Sequence, residues 1–289
     1  MTALRDGIAA ATRQLGEAGV DSPRHDAEAL AAHVLGVGRG ELTLVADFGP
    51  LAPAYAELVD RRASREPLQH LVGSVGFRHL ELAVGPGVFV PRPETESVVQ
   101  WALDAAAAEG WPAPLVVDLC TGSGTMALAI AQELPGASVH GVERDPVALR
   151  WTRRNAEARA AAGDAPVTLH LGDVTDALPE LDGTVDLVVS NPPYVAVGER
   201  AQVDPEVRDH DPEIALWAGE DGLDVIRLVA ATARRLLRPG GLLVVEHSDR
   251  QGTSVPALLR ADGCWAEVAD HRDYADRDRF ATARRTAAP

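Results

Sequence analysis

The chain has 289 residues, is 46% hydrophobic and 24% charged, and carries 27 basic against 43 acidic side chains, a formal net charge of −16. That length holds one large domain or two modest ones with ample core, and the composition is that of a folded soluble chain with no apolar run of membrane-span length. The acidic balance argues against tight duplex binding, which needs a positive footprint. The basic residues are all arginine, which excludes a Walker-A lysine, a Schiff-base lysine and a lysine general base.

The opening stretch "MTALRDGIAAATRQLGEAGV" is charged throughout and lacks an apolar h-region, so no signal peptide is expected. Cys120 and Cys264 make neither a disulfide framework nor a metal quartet, and the expected compartment is the reducing cytoplasm. Residues up to about Arg65 read as helices. In "DSPRHDAEALAAHVLG", Ser22 caps, Pro23 opens and Gly36 stops a helix. "PAYAELVDRRASREP" is a second amphipathic helix, with Arg61, Arg62 and Arg65 on its later turns as a solvated helix end or, alternatively, a docking patch. "LVGSVGFRHLELAVGPGVFVPRPETE" alternates apolar residues between Gly and Pro, which suggests a β-hairpin. The boundaries expected are a helical domain over 1–72, a hairpin connector over 73–92 and an α/β domain over 93–289.

From Pro93 onward strands and helices alternate. "PLVVDLC", "SVHGVE", "VTLHLGD", "VDLVVSN" and "GGLLVVEH" are the strands, with helices over Thr125 to Leu134, Pro146 to Ala162 and Leu223 to Leu237. That rhythm predicts a doubly wound, Rossmann-like, mostly parallel sheet, and "CWAEVAD" with "RFATARR" adds a terminal antiparallel pair. "VVDLCTGSGTMALAIA" is a strand, a glycine turn and a helix, the arrangement that lets backbone approach a ligand at the carboxyl end of a strand. Glu143 ends the next strand about 20 residues later, where a carboxylate accepts both ribose hydroxyls. Asp173 ends the third strand and suits an adenine amino group, or is a turn residue. Asp118 either holds the loop or sits near a ligand ammonium. Together these acids describe a nucleoside pocket without a triphosphate site, and up to this point NAD and S-adenosylmethionine both fit it.

The turn that ends the fourth strand separates the two. Asn191, Pro192, Pro193 and Tyr194 cannot extend a central sheet, because neither proline has an N–H to donate. Asn191 offers a side-chain carbonyl, and Pro192 offers a backbone carbonyl held rigidly by the proline after it. Tyr194 offers a flat face for a planar group. Those are the parts needed to grip an NH₂ group whose lone pair is delocalised while a methyl group arrives, since acceptors aimed at its N–H groups favour the charge that develops. A plain strand terminator is the alternative reading of the same residues.

"DLCTGSG", "GVERDP", "GDVTDALP", "SNPPYV" and "PRPETE", with "PLQHLVGSVGF" and "EVRDHDPEIAL", resemble the HemK/PrmC family of S-adenosylmethionine-dependent methyltransferases over nearly the whole chain. The resemblance implies methyl transfer to the glutamine amide nitrogen of the Gly-Gly-Gln motif in peptide chain release factors. It implies that Cys120, Thr121, Gly122, Ser123 and Gly124 hold the methionine part of the cofactor, and that Glu143 binds the ribose. Asp173 and Val174 would flank the adenine, and Asn191, Pro192, Pro193 and Tyr194 would hold the substrate amide, with Asn191 beside the cofactor as well. Phe89 to Glu96 would wall the same pocket, or start a helix, and the N-terminal helices would dock the release factor. The family usually has glycine where Cys120 stands and often an aromatic where Val174 stands. No metal is implied, nor a covalent intermediate, nor direct nucleic-acid binding. The alternatives are adenine-N6 methylation of nucleic acid, a non-catalytic nucleoside-binding module, and an NAD oxidoreductase. The first is disfavoured by the acidic charge, the second by the intact Asn-Pro-Pro-Tyr turn, and the third by the missing lysine.

Overall fold

The computed structural model describes residues 2–287, which form two compact units. The first contains everything up to Ser74, with Val84–Pro86 and Val203–His210. Its helices are α1 (Thr2–Glu17), α2 (Pro23–Leu35), α3 (Ala52–Ala63) and α4 (Leu68–Val72). Helix α2 opens at Pro23 after Ser22 and stops at Gly36, whose φ of +66° is the left-handed conformation that glycine takes without penalty. The apolar faces of these helices close on Leu4, Leu15, Leu30 and Val59, and Phe48 stacks on Tyr55 at 4.3 Å.

Of the three arginines at the end of α3, Arg62 and Arg65 have a different role from either one expected. Only Arg61 is on the surface, paired with Glu66. Arg62 is buried, with Nε on Asp26 at 2.8 Å and Nη2 on Glu206 at 2.9 Å. Arg65, just beyond the helix, adds Nε to the same Glu206 at 2.7 Å. Neither Arg62 nor Arg65 is a solvated helix end or a docking patch: their amphipathic stems are tucked inward and their charges are consumed by internal carboxylates.

The second unit is the α/β layer structure. Its hairpin strands β1 (Ser74–Phe77) and β2 (Leu80–Ala83) bury Phe77, Leu80 and Leu82 in the same core as α5 (Thr95–Ala108), so from Val75 to Ala83 the hairpin is part of this unit. The sheet strands are β3 (Leu115–Leu119), β4 (Ser138–Glu143), β5 (Val167–Leu171), β6 (Val185–Ser190), β7 (Leu237–Glu246), β8 (Trp265–Arg272) and β9 (Asp278–Arg285), in the order β5-β4-β3-β6-β7-β9-β8. The first five are parallel, and β9 runs antiparallel to both β7 and β8. Both faces are covered, so the central strands carry apolar side chains toward both layers. Val116, Leu187, Val189 and Val244 face α5, α6 (Thr125–Glu133) and α7 (Pro146–Ala161), whereas Val117, Val188 and Val245 face α8 (Asp224–Leu236) and α9 (Ser254–Asp262). Helix α9 has no counterpart among the expected elements.

The chain runs outward from β3 to β5 and returns to β6 on the other side of β3. That reversal opens a crevice at the carboxyl ends of β3 and β6, the place where open α/β sheets take their ligands. The register aligns Leu119 with Val142 and Ser190, and Ser190 with Val245. The next residues along those strands, Cys120, Glu143, Asn191 and Glu246, therefore stand at one level across the crevice.

Candidate active site

The glycine loop follows β3 and is fixed from three sides. Asp118 is fully buried, and its Oδ2 accepts from the Thr121 hydroxyl at 2.7 Å and the Ala127 amide at 3.1 Å. Glu143 accepts the Gly122 N–H at 2.9 Å through Oε2 and the Asp145 N–H at 2.8 Å through Oε1. From α7, Asn155 Nδ2 donates to Ser123 O at 3.0 Å, and the same side chain bonds both N–H and C=O of Ala83, tying the hairpin to the loop. Gly124 has φ +86°, and a Cβ there would lie 2.7 Å from Thr152 Cγ2, so only glycine lets α6 start so close to α7. Around Gly122, by contrast, nothing would meet a Cβ within 4 Å: the backbone faces open space.

Electrostatics single out the acids. Burial pushes the Asp118 carboxyl up to about 7, against the pull of Thr121 and the Ala127 amide, with the Glu143 charge adding to the rise. Its Oδ1 is buried without a hydrogen-bond partner. Burial also raises Glu143, opposed by the backbone amides it holds. Asp173 differs: its Oδ1 is occupied by the Thr175 amide and hydroxyl, which hold its carboxyl below the usual range. Val174 is buried, its side chain in the core and its carbonyl taken by the Thr232 hydroxyl at 2.9 Å.

Cys120 has φ +64°, a left-handed conformation costing a residue with a Cβ about 1–2 kcal/mol. This is the geometric reason for glycine at such a position. Burial, with the Glu143 and Asp118 charges, pushes its thiol up to about 12, so it is protonated at neutral pH and no nucleophile. Two outcomes follow. Iodoacetamide at pH 8 should alkylate Cys120 far more slowly than a free cysteine, read by intact mass with Cys120→Gly identifying the site. Cys120→Gly should fold with unchanged or slightly raised melting temperature, because it removes the backbone penalty.

The Asn-Pro-Pro-Tyr turn lies beside this loop. Ser190 Oγ donates to Leu119 O at 2.7 Å, which pins the end of β6 to the end of β3. Asn191 Nδ2 donates to Thr95 Oγ1 at 3.2 Å. The Tyr194 hydroxyl donates to Glu246 Oε1 at 3.4 Å, and Gln251 Nε2 takes the Tyr194 carbonyl at 3.1 Å. The stretch Phe89 to Glu96 reaches the same place. Arg92 donates to buried Asp211 at 2.7 Å, and Thr95 and Glu96 open α5. The structure thus gathers the loop, Glu143 and the turn at one crevice, with Asp173 one strand further out. Glu246 and Gln251 were not singled out from the sequence, and Thr95 only as part of the Phe89 to Glu96 stretch. Glu246 carries the signal that found Glu143, an acid closing an apolar strand. Among the described residues no helix is long and apolar enough to cross a membrane.

Two family models match the chain, the PrmC N-terminal domain over residues 7–73 and the methyltransferase small domain over residues 103–206. Among solved structures, the Thermus thermophilus 16S rRNA N2 G1207 methyltransferase RsmC, in complex with AdoMet and guanosine, is similar in fold. Its TM-score is 0.52 at 22% identity, covering 73% of this chain and 49% of that one. A 4-amino-L-phenylalanine/4-methylamino-L-phenylalanine methyltransferase of Streptomyces pristinaespiralis is 46% identical, over 99% of this chain and 97% of its own. A release factor glutamine methyltransferase of Streptomyces coelicolor is 57% identical over 99% of both chains. At 57% identity over 99% of both chains, that match shows that the chain belongs to the release factor glutamine methyltransferase family.

Proposed function

We propose that this protein transfers a methyl group from S-adenosylmethionine to the side-chain amide nitrogen of the Gly-Gly-Gln glutamine in peptide chain release factors, with the helical unit as the protein-substrate dock. The observation that carries the reading is the position of Asn191: one residue beyond the β3–β6 rung, beside the glycine loop, with its Nδ2 committed to Thr95 and its Oδ1 left to accept. The cofactor supplies an electrophilic methyl group on a positively charged sulfur. The residues present suit it. Asp118 Oδ1 is buried without a hydrogen-bond partner, and Gly122 leaves open space for close approach. Glu143 sits where ribose hydroxyls would complete its lone pairs. Asp173 would take the adenine amino group, with the Val174 backbone beside the ring.

On the acceptor side, Asn191 Oδ1 and the Pro192 carbonyl accept the two N–H groups of the amide. As the methyl arrives the nitrogen loses conjugation and gains positive charge, and both acceptors strengthen at that moment. The Tyr194 ring orients the planar group, and the methylated nitrogen then loses one N–H proton to solvent. The same grip fits any conjugated NH₂, and the similarity to a 4-amino-L-phenylalanine methyltransferase makes an arylamine the second reading. The test is incubation with labelled S-adenosylmethionine and either a purified release factor or 4-amino-L-phenylalanine, with the label located by mass spectrometry. Label on the Gly-Gly-Gln glutamine is expected; label on the arylamine alone would reverse the assignment.

Two outcomes concern the cofactor. Glu143→Ala should weaken its binding by about 1.5–3 kcal/mol, the scale of charge-assisted hydrogen bonds, and an unchanged dissociation constant would remove Glu143 from the site. The second concerns pH. In the folded protein Asp118 titrates near 7, above the unfolded aspartate value of about 3.9. Between those values the folded state holds the extra proton, so this group's contribution to stability falls as pH rises through that window. A cation placed against Asp118 favours the ionised form, so cofactor binding expels that proton. Affinity should therefore rise from about pH 6 to pH 8, by at most roughly tenfold per unit below the pKa. Calorimetry in two buffers of different ionisation enthalpy reads the proton release; its persistence in Asp118→Asn would assign it elsewhere.

A further inference from the structure

The reading of Asn191 as the amide acceptor leaves a question of direction. An asparagine amide presents oxygen on one side and NH₂ on the other. Only the orientation with Oδ1 toward the crevice can grip a substrate NH₂; the flipped one sets donor against donor. Something behind the turn must decide between them, and Asn191 Nδ2 has one neighbour there, Thr95 Oγ1.

A threonine hydroxyl can accept from Asn191 or donate to it, so it settles nothing until its own proton is committed. Thr95 is buried at the first turn of α5, beside the carboxyl of Glu246. Glu246 is 1% exposed and stands on β7 at the level of Asn191 on β6. Its Oε1 accepts from Tyr194, and its Oε2 is buried without a partner in hydrogen-bonding geometry. Burial pushes its carboxyl up to about 7, against the pull of the Thr95 hydroxyl and the Arg279 guanidinium and with the Glu94 charge adding to the rise, so above that pH it is ionised. An ionised carboxylate only accepts. Every donor around it must point inward: the Tyr194 hydroxyl directly, and the Thr95 hydroxyl by rotating its proton toward the carboxyl.

We propose that Glu246 and Thr95 are positioning residues that set the hydrogen-bond direction of the Asn-Pro-Pro-Tyr turn. Glu246 commits the Thr95 proton, Thr95 then accepts from Asn191 Nδ2, and Asn191 Oδ1 is thereby turned toward the acceptor nitrogen. The inference rests on the proposed role of Asn191 and adds to it the device that orients the side chain. It also accounts for an acid buried beneath the turn.

The experiment uses the full chain at pH 8, where Glu246 is ionised, with release factor as methyl acceptor, measuring kcat, the cofactor dissociation constant and the melting temperature. Thr95→Val removes the acceptor at nearly constant volume and should lower kcat roughly 10–100-fold, with cofactor affinity within about threefold of the parent. Thr95→Ser keeps the hydroxyl and should stay within about threefold of the parent in both. Glu246→Gln is isosteric but introduces an NH₂ donor. Aimed at Thr95, it sends the hydroxyl proton toward Asn191 and flips the amide, so kcat should again fall at least tenfold with melting temperature little changed. Should Thr95→Val fail to fold, Glu246→Gln carries the test alone. Parent-like kcat in Glu246→Gln, or a Thr95→Ser as slow as Thr95→Val, overturns the proposal while a slow Asn191→Ala leaves the role of Asn191 standing. A parent-like Asn191→Ala removes both.

Discussion

Asn191→Ala is expected to slow single-turnover methyl transfer to release factor by roughly 10²–10³, about 2.7–4 kcal/mol, the cost of removing one donor or acceptor from an oxyanion-hole-type site. The size follows from where the hydrogen bond acts. In the ground state an amide N–H is modestly acidic and either acceptor serves. As the nitrogen becomes cationic, its N–H groups become charge-assisted donors, and the Pro192 carbonyl alone cannot hold both. Cofactor affinity should change little, because Glu143, Asp118 and the loop amides are held by other partners. Asn191→Asp keeps an acceptor toward the substrate and should retain more activity than Asn191→Ala. Tyr194→Phe loses only the hydroxyl bonded to Glu246, keeps the ring, and should be milder than Tyr194→Ala. Transfer by Asn191→Ala at the parent rate would return the turn to a strand terminator.

The elements were legible where local chemistry decides them. Strand β6 ends at Ser190 because two prolines follow, and α2 runs from Pro23 to Gly36 because both residues announce their backbone angles. The strand–helix rhythm gives the doubly wound sheet and its antiparallel edge, since parallel strands require crossovers that show in the spacing. Partnerships between distant segments were not legible. Thr95 meets Asn191 across 96 residues and Arg62 meets Glu206 across 144, and one sequence carries no record of such pairs. The hairpin shows the same limit. Its alternation predicts strands, yet the same alternation would serve a linker or a core, and only the packing of Phe77, Leu80 and Leu82 chooses the core. Glu246 is a different omission. It was readable by the rule that found Glu143, and it passed unremarked because it has no place in a nucleoside pocket.

Arg62→Met should destabilise the protein by about 3–5 kcal/mol, the usual cost of leaving a buried charge without its partner. Both Arg62 and Asp26 are nearly inaccessible, at 7% and 8% side-chain exposure, and sit 2.8 Å apart. Glu206 keeps Arg65 when Arg62 is lost, through two short bonds, but Asp26 keeps only the half-exposed ring of His25 at 3.1 Å. The orphaned carboxylate, not the lost attraction, sets the cost. Asp26→Asn in the Arg62→Met background should therefore recover much of it, since a neutral amide is far cheaper to bury than an ion. Arg61→Ala, removing the exposed pair with Glu66, should cost under about 1 kcal/mol. The pH dependence has a fixed sign. The carboxyl of Glu206 is depressed in the folded state: burial alone would raise it, and the hydrogen bonds from Arg65 and Arg62 more than reverse this. Its contribution is therefore present above the unfolded glutamate value of about 4.3 and is lost as pH falls below it. Removing Arg62 weakens that depression, so the variant's stability should fall less steeply in acid than the parent's. Urea unfolding of the four proteins at about pH 7 and pH 4 measures all of this. An Arg62→Met no less stable than Arg61→Ala would mean the ion cluster contributes nothing to folding, leaving the helical unit to be held by its apolar core alone.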